Sequence, residues 1–151
     1  MLLSDLLTPA RIRIPITAGD KRGVLGELAQ VLAEGNGADP QDLLAAVEER
    51  EALLPTGIGF GVATPHGRSA RVAELRIAAG VAAQPIAYDA IDGQPVRLFF
   101  LLVGPERAAA QQVKVLGRIA RFARNEPLRQ RLMDARDPRE FHRVLREAEG
   151  R

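Results

Sequence analysis

The sequence lacks cysteine and tryptophan, and aromatic residues make up only 4% of its 151 positions. Without cysteine the chain has no disulfide, no thiolate nucleophile and no sulfur-ligated metal, which fits a reducing compartment. Because aromatic residues are so few, stacking on bases or sugar rings has little support. The core must instead be built from Leu, Val, Ile and Ala.

No stretch of the chain is apolar over the roughly 18 residues that a membrane-spanning helix needs. The N-terminal MLLSDLLTPARIR also has no basic segment followed by a long apolar run, so it does not resemble a signal peptide. We therefore expect a cytoplasmic protein without membrane insertion. The length fits one domain over residues 1–151, and 46% hydrophobic residues are enough for an ordinary core.

Positive charge is concentrated in the last third of the chain. From Pro105 onward there are 12 Lys or Arg and 7 Asp or Glu, although the net charge of the whole chain is only +2. The basic residues alternate with acidic ones through helix-like sequence, as in RQRLMDARDPREFHRVLREAE. This pattern is typical of solvated helix faces, so we expect no nucleic-acid partner.

The first third predicts a short helix, an edge strand and two longer helices. The short helix covers residues 4–7, and residues 11–16 alternate Arg and Ile as a half-buried edge strand does. Asp20 is the predicted N-cap of the next helix, which ends at Gly35-Asn36-Gly37, and Asp39-Pro40 begins the one after it. The apolar stripes of the two helices consist of Val24, Leu25, Leu28, Val31 and Leu32, and of Leu43, Leu44 and Val47.

The remaining two thirds predict two strands and three helices. Residues 75–83 and 96–103 read as strands, and the second (VRLFFLLV) is apolar enough to be covered on both faces. Residues 88–94 between them predict a turn, with Asp89, Asp92 and Gly93. From about residue 107 three helical segments follow, interrupted near Pro127 and Pro138. The class is therefore α/β or α+β, a single domain with a mixed β-sheet flanked by helices.

Arg50 occupies an unusual place in the second of the two longer helices. It follows Val47 by three residues and Leu43 by seven, which puts it on the inner side of the helix. A guanidinium at the edge of the core needs a partner. Glu51, a backbone carbonyl or a visiting anion would each serve.

The stretch GIGFGVATPHGR, residues 57–68, has three glycines at alternate positions ahead of Pro65 and His66. It fails the dinucleotide pattern G-x-G-x-x-G because the third glycine is missing, and it has no Walker lysine. The glycines allow the backbone to approach a charged group closely. Pro65 stiffens the chain immediately before the imidazole.

Several roles for His66 can be compared. A zinc site needs three or four ligands, and the chain has only His142 besides, with no cysteine. No G-x-S-x-G nucleophile elbow is present. A nucleophilic histidine needs no second titrating group, because at pH 7 an imidazole with a pKa of about 6.5 is mostly neutral. A turn histidine with satisfied hydrogen bonds is the alternative.

Two segments resemble one known family. EREALLPTGIGFGVATPHGR, residues 49–68, and IAYDAIDGQPVRLFFLLVGPE, residues 86–106, are similar to enzyme IIA of the phosphoenolpyruvate-dependent sugar phosphotransferase system. The branch is the fructose and mannitol type, and within it the nitrogen-related regulatory proteins. The opening MLLSDLLTPARI and a REF segment near the end extend the resemblance over nearly the whole chain. It implies a phosphotransferase/anion-transport-like fold.

The resemblance implies roles for four residues. His66, in the PH dipeptide, takes the phosphoryl group, and Arg50, in the RE pair, borders the active site. Thr64 and the amides of the glycine-rich stretch help to hold the phosphoryl group. Gln112 stands where the family commonly has a second histidine in an H-L-x-x-L pattern. An amide can donate a hydrogen bond there but carries no charge. His142 is expected on the surface of the last helix.

The implied function is that of a IIA phosphocarrier protein. It would accept a phosphoryl group on His66 from HPr, or from a nitrogen-branch HPr, and pass it to a IIB partner or use it as a regulatory signal. No cofactor or metal is implied. The alternative is a regulatory binding module that transfers no phosphoryl group and controls kinases or transporters through protein contacts.

Overall fold

The structure is a computed structural model that describes residues 2–35 and 37–151. Its helices are α1 (Leu3–Leu6), α2 (Lys21–Ala33), α3 (Pro40–Glu51), α4 (Ala109–Arg124), α5 (Glu126–Met133) and α6 (Pro138–Ala148). Its strands are β1 (Ile12–Ile16), β2 (Gly57–Gly59), β3 (Val62–Ala63), β4 (His66–Arg68), β5 (Arg76–Ile86) and β6 (Val96–Gly104). Short 3-10 turns cover Pro9–Arg11 and Glu106–Ala108.

The strands form one mixed sheet in the order β1-β5-β6-β3-β2, and β4 also pairs with β6. β5 and β6 are antiparallel, whereas β1 is parallel to β5, and β3 and β4 are parallel to β6. The predicted mixed sheet and the edge position of β1 are therefore confirmed. His66 lies opposite Leu102 of β6, so the sheet places it next to the central strand.

Helices cover both faces of the sheet. Phe99, Leu101 and Val103 of β6 pack with the apolar stripes of α2 and α3. Phe100 and Leu102 pack on the other face with residues of α1, α4, α5 and α6. The alternation follows from the two-residue period of a strand, and it confirms that VRLFFLLV is covered on both sides.

The predicted helix starts are confirmed. The Asp20 side chain accepts from the Gly23 amide at 2.7 Å, and the Asp39 side chain accepts from the Gln41 amide at 2.9 Å. These bonds satisfy amides that lack partners in the first turn. The predicted end of α2 at Gly35-Asn36-Gly37 falls partly outside the described residues, because Asn36 is not among them.

Some boundaries differ from the predictions. The first helix is shifted one residue toward the N-terminus, and β5 continues to Ile86 because Ile86 pairs with Val96 of β6. The turn at residues 88–94 is confirmed, with the Gly93 amide donating to the carbonyl of Ala90 at 2.9 Å. The three C-terminal helices are also confirmed, with Pro127 and Pro138 in the first turns of α5 and α6.

The glycine-rich stretch is a β-hairpin and not an open loop. β2 and β3 pair antiparallel. Gly59 at the end of β2, and Phe60 and Gly61 in the turn after it, have φ values of +91°, +61° and +76°. Glycine adopts such values without strain, which explains two of the three glycines in the run. Within the described part of the chain, no helix is long and apolar enough to cross a membrane.

Candidate active site

A pocket of about 390 Å³ lies between α3, β4 and α4, with His66 in its wall. Arg50 comes from the last turn of α3, and Gln112 comes from the first turn of α4. The fold thus brings together three of the four predicted site residues, although they are far apart in the sequence. The polar residues that line the pocket are Glu49, Arg50, His66, Arg68 and Gln112.

Gly67 lets α3 lie directly against β4. A Cβ atom at this position would be 2.7 Å from the carbonyl oxygen of Ala46 and 3.0 Å from the amide nitrogen of Val47. Such distances are far below ordinary van der Waals contact. The glycine after His66 is therefore required for the packing that carries Arg50 to the pocket.

The imidazole of His66 is half-buried and held through one nitrogen. Nδ1 lies 2.8 Å from the carbonyl oxygen of Thr64. Because a carbonyl can only accept, Nδ1 carries the hydrogen in this contact, and the neutral ring keeps its lone pair on Nε2. This arrangement leaves Nε2 as the ring nitrogen that could act as a nucleophile.

Burial lowers the pKa of His66 below its ordinary value of 6.5, because a charged ring is poorly solvated there. The contact with Thr64 opposes this, and so does the negative charge of Glu51, whereas the positive charges of Arg50 and Arg68 lower the pKa further. The lowered pKa favours a neutral His66 imidazole at pH 7. A neutral ring is the form that can act as a nucleophile.

Arg50 is half-buried and donates from Nη1 to the carbonyl oxygen of Leu54 at 2.7 Å. The sequence leaves three possible partners for Arg50, namely Glu51, a backbone carbonyl or an anion. In the structure the partner is a backbone carbonyl. The carboxylate of Glu51 pairs with Lys21 instead, at 2.8 Å. A guanidinium has five donor hydrogens, so this one bond leaves Arg50 able to bind an anion in the pocket.

Gln112 is only 3% exposed, yet its Oε1 atom has no hydrogen-bond partner among the described residues. A buried polar atom without a partner is costly, and here it belongs to a side chain that lines the pocket. Turning the amide over would present its NH₂ group instead. Gln112 is thus available to hydrogen-bond a group that enters the pocket.

Thr64 is buried and takes part in the site through its backbone. Its carbonyl holds His66, while its hydroxyl and amide donate to the carbonyl oxygen of Thr56 at 3.4 Å and 3.0 Å. Thr64 is not among the residues that line the pocket. A direct contact between its side chain and a phosphoryl group stays a prediction.

His142 differs from its prediction. It lies on α6, away from the pocket, but it is half-buried, and its Nε2 atom is 2.9 Å from the carbonyl oxygen of Ser4. The expected surface position is met only in part, because α1 packs against α6 beside this ring.

Apolar side chains flank the polar pocket. Leu53, just after α3, is 80% exposed, and Val113 on α4 is 65% exposed. Both line the pocket together with Leu116. Exposed apolar groups around a polar centre are typical of a surface that binds another protein.

Sequence reasoning missed a buried polar cluster behind the site, formed by Lys21, Glu51, Thr56 and Tyr88. The sequence suggests Glu51 only as one possible partner for Arg50. The sequence does contain one clue to this cluster. Glu51 directly follows Arg50 on a helix whose inner face is apolar, so the two charged side chains need different partners.

A half-buried imidazole beside an arginine in a pocket is the arrangement that a histidine phosphotransfer protein needs, and the comparisons with known proteins show the family. The family described as "Phosphoenolpyruvate-dependent sugar phosphotransferase system, EIIA 2" matches residues 5–148, and the chain belongs to it. IIA proteins of this system are phosphotransferases with a phosphohistidine intermediate. The resemblance and the fold class are therefore confirmed.

The chain is 35% identical to a nitrogen regulatory protein of Bradyrhizobium diazoefficiens over 145 residues, which are 96% of this chain and 95% of the relative. The crystal structure of nitrogen regulatory protein IIA-Ntr from Neisseria meningitidis superposes with a TM-score of 0.89 at 31% identity, covering 95% of this chain and 98% of that one. The Escherichia coli mannitol IIA protein, solved in complex with phosphorylated mannitol IIB, shares the fold with a TM-score of 0.79 at 19% identity, covering 97% of this chain and 100% of that one.

Proposed function

We propose that this protein is a phosphocarrier in which Nε2 of His66 accepts a phosphoryl group from an HPr-type protein. The group then passes to a IIB partner or acts as a regulatory signal. The observation that carries the proposal is the contact between Nδ1 of His66 and the Thr64 carbonyl, made by a ring that shares a pocket with Arg50. The contact frees Nε2 for attack.

In the proposed reaction, the Nε2 lone pair forms a bond to phosphorus while the donor's bond to phosphorus breaks, and the donor keeps that electron pair. Positive charge develops on the accepting ring and is shared with Nδ1–H. The Thr64 carbonyl accepts from that group and stabilises the charge. The site does not need a separate base, because the attacking nitrogen is already unprotonated.

The phosphoryl oxygens are bound by the other pocket residues. Arg50 supplies a fixed guanidinium with several donors, which suits a group that carries nearly two negative charges. Gln112 donates an amide hydrogen without adding charge. Thr64 acts through its carbonyl, which holds His66, whereas residues 57–63 of the hairpin are not among those that line the pocket.

The partners are proteins. Leu53, Val113 and Leu116 surround the polar centre with apolar surface, which fits docking of a phosphocarrier better than binding of a sugar. A IIB partner is supported by the mannitol complex of the same fold. An HPr-type donor, a cytoplasmic location, one domain over residues 1–151 and the absence of a nucleic-acid partner belong to the same proposal.

A second function is supported by the match to the nitrogen regulatory protein. In that case the protein transfers no phosphoryl group and controls kinases or transporters through protein contacts. Gln112 favours this alternative, because an amide stabilises a phosphohistidine less than a charged imidazole does.

One experiment separates the two functions. The protein is incubated with phosphoenolpyruvate, enzyme I and either HPr or its nitrogen-branch counterpart, and its intact mass is measured. We expect a gain of one phosphoryl group that is labile in acid and absent from His66→Ala. No gain with either donor would favour the binding module, and labelling of His66→Ala would overturn the assignment of His66.

A further inference from the structure

The carboxylate of Glu51 is the centre of the polar cluster behind the site. It is 7% exposed, and Oε2 lies 2.8 Å from Nζ of Lys21. Oε1 accepts from the Tyr88 hydroxyl at 3.0 Å, from the Thr56 amide at 3.1 Å and from the Thr56 hydroxyl. One side chain therefore joins α2, α3, the start of the β2–β3 hairpin and the segment after β5.

The cluster continues by hydrogen bonds to His66. The carbonyl oxygen of Thr56 accepts from the amide of Thr64 at 3.0 Å and from its hydroxyl at 3.4 Å. The carbonyl of Thr64 then holds Nδ1 of His66 at 2.8 Å. Glu51 is thus connected to the imidazole through the two threonines that flank the hairpin.

The conformation of the hairpin between those threonines is constrained at its turn and at both of its ends. Its turn contains Phe60 at φ +61°, an uncommon conformation for a residue with a side chain. Gly57 packs so tightly that a Cβ would be 2.7 Å from the Cα atom of Ala90. The bonds that Thr56 donates to Glu51 hold the first end of the hairpin. The bonds that Thr64 donates to the Thr56 carbonyl tie the second end to the first.

Tyr88 contributes a donor that persists at ordinary pH. Burial raises the pKa of its phenol above the usual value of 10.0, and the negative charge of Glu51 acts in the same direction. Lys21 lies over the Tyr88 ring, 4.3 Å from its centroid, and so contacts both members of this pair. The carboxylate is held from several sides, and Glu51 is not one of the residues that line the pocket.

We propose that Glu51 is a positioning residue for His66. By fixing Thr56, and through it the carbonyl of Thr64, the carboxylate holds the ring with its hydrogen on Nδ1 and its lone pair on Nε2. The consequence for phosphoryl acceptance rests on the proposed function of His66. The effect on the tautomer does not, because it exists in the unphosphorylated protein.

The test uses three variants and a matched control. Glu51→Gln removes the charge, Thr56→Val removes the hydroxyl at nearly constant shape, and Thr56→Ser keeps the hydroxyl. Glu48→Gln is the control, because Glu48 lies on the same helix and makes an ion pair with Arg22 at 3.4 Å on the surface. The ring ¹⁵N shifts of His66 at pH 8 report the tautomer in each unphosphorylated protein.

We expect wild type, Thr56→Ser and Glu48→Gln to show hydrogen on Nδ1 and a lone pair on Nε2. Glu51→Gln and Thr56→Val should give intermediate shifts from a mixture of tautomers. Their kcat for phosphoryl acceptance from HPr should fall roughly tenfold, the scale of one hydrogen bond. KM for HPr should stay unchanged, since the apolar surface around the pocket is untouched.

Wild-type shifts and wild-type kcat in both Glu51→Gln and Thr56→Val would overturn the proposal and leave the cluster a purely structural one. If Glu51→Gln fails to fold, Thr56→Val decides, because it leaves the carboxylate with Lys21 and Tyr88. Altered shifts in the variants, with no phosphoryl uptake by wild type, would contradict the function of His66 while supporting the positioning role of Glu51.

Discussion

Gly67 and Ala46 lie so close that a Cβ atom on Gly67 would be 2.7 Å from the Ala46 carbonyl oxygen. The contact joins β4 to α3 one residue after His66 and four residues before Arg50. Two side chains with complementary chemistry are thus held on two elements that touch through backbone atoms. This rigid contact positions the guanidinium relative to the imidazole.

Gly67→Ala should therefore disturb both stability and the site. Forcing a methyl group against the α3 backbone should lower the free energy of unfolding by about 1–3 kcal/mol, as measured by urea denaturation. Phosphoryl acceptance should fall as well, because α3 must move and Arg50 moves with it. Gly117→Ala on α4 is the control, since a Cβ there meets nothing within 4 Å, and we expect it to be neutral or stabilising. Equal behaviour of the two variants would contradict the packing argument.

Arg50→Ala should leave the fold intact and impair acceptance of the phosphoryl group. Losing a charge-assisted hydrogen bond to phosphate costs about 1.5–3 kcal/mol, or roughly 10-fold to 150-fold in rate. Arg50→Lys should recover only part of that loss, because an ammonium cannot present a planar set of donors. The measurement is the initial rate of phosphorylation by HPr. Arg71→Ala is the matched control, since Arg71 makes an exposed ion pair with Asp42 at 3.7 Å. A wild-type rate for a folded Arg50→Ala would show that Arg50 serves only its bond to Leu54.

The pH dependence of the reaction should reflect the lowered pKa of His66. Because burial lowers the pKa of His66, the acceptance rate should fall less between pH 8 and pH 6 than it would for an imidazole with the ordinary pKa of about 6.5. The rate should fall only as the pH drops through the pKa of the folded protein. NMR titration of the His66 ring checks the pKa directly, and a value above 6.5 would contradict this account.

The lowered pKa of His66 also makes the free energy of unfolding depend on pH. The unfolded chain binds a proton at His66 more readily than the folded protein does, so the contribution of His66 is fully present above about pH 6.5 and is lost as the pH falls toward the folded pKa. His66→Ala should flatten this part of the stability profile. Parallel profiles for wild type and His66→Ala between pH 7 and pH 5 would argue against the shift.

Part of the site could be predicted from the sequence, because helical periodicity places Arg50 and the resemblance to the family points to His66 and Gln112. The three-residue spacing from Val47 predicts that Arg50 faces the inner side of α3. The sequence does not reveal the β2–β3 hairpin, because its strands are only three and two residues long. The Glu51 cluster could not be found in this way, because Lys21, Thr56 and Tyr88 meet only through the tertiary fold.

The last prediction concerns Gln112, whose Oε1 atom lacks a partner among the described residues. A histidine at this place could donate to the phosphoryl group and, when protonated, oppose its negative charge, whereas an amide donates without charge. Charged hydrogen bonds contribute about 1 kcal/mol more than neutral ones, so Gln112→His should shift the phosphorylation equilibrium with HPr toward this protein by roughly fivefold. The gain should be largest below about pH 6.5, where the new imidazole becomes charged. The comparison is the equilibrium constant of wild type and Gln112→His at pH 6 and pH 8. Gln111→His, one residue earlier on α4 and outside this pocket, is the control for adding an imidazole nearby. Equal constants for wild type and Gln112→His at both pH values would mean that position 112 does not contact the phosphoryl group.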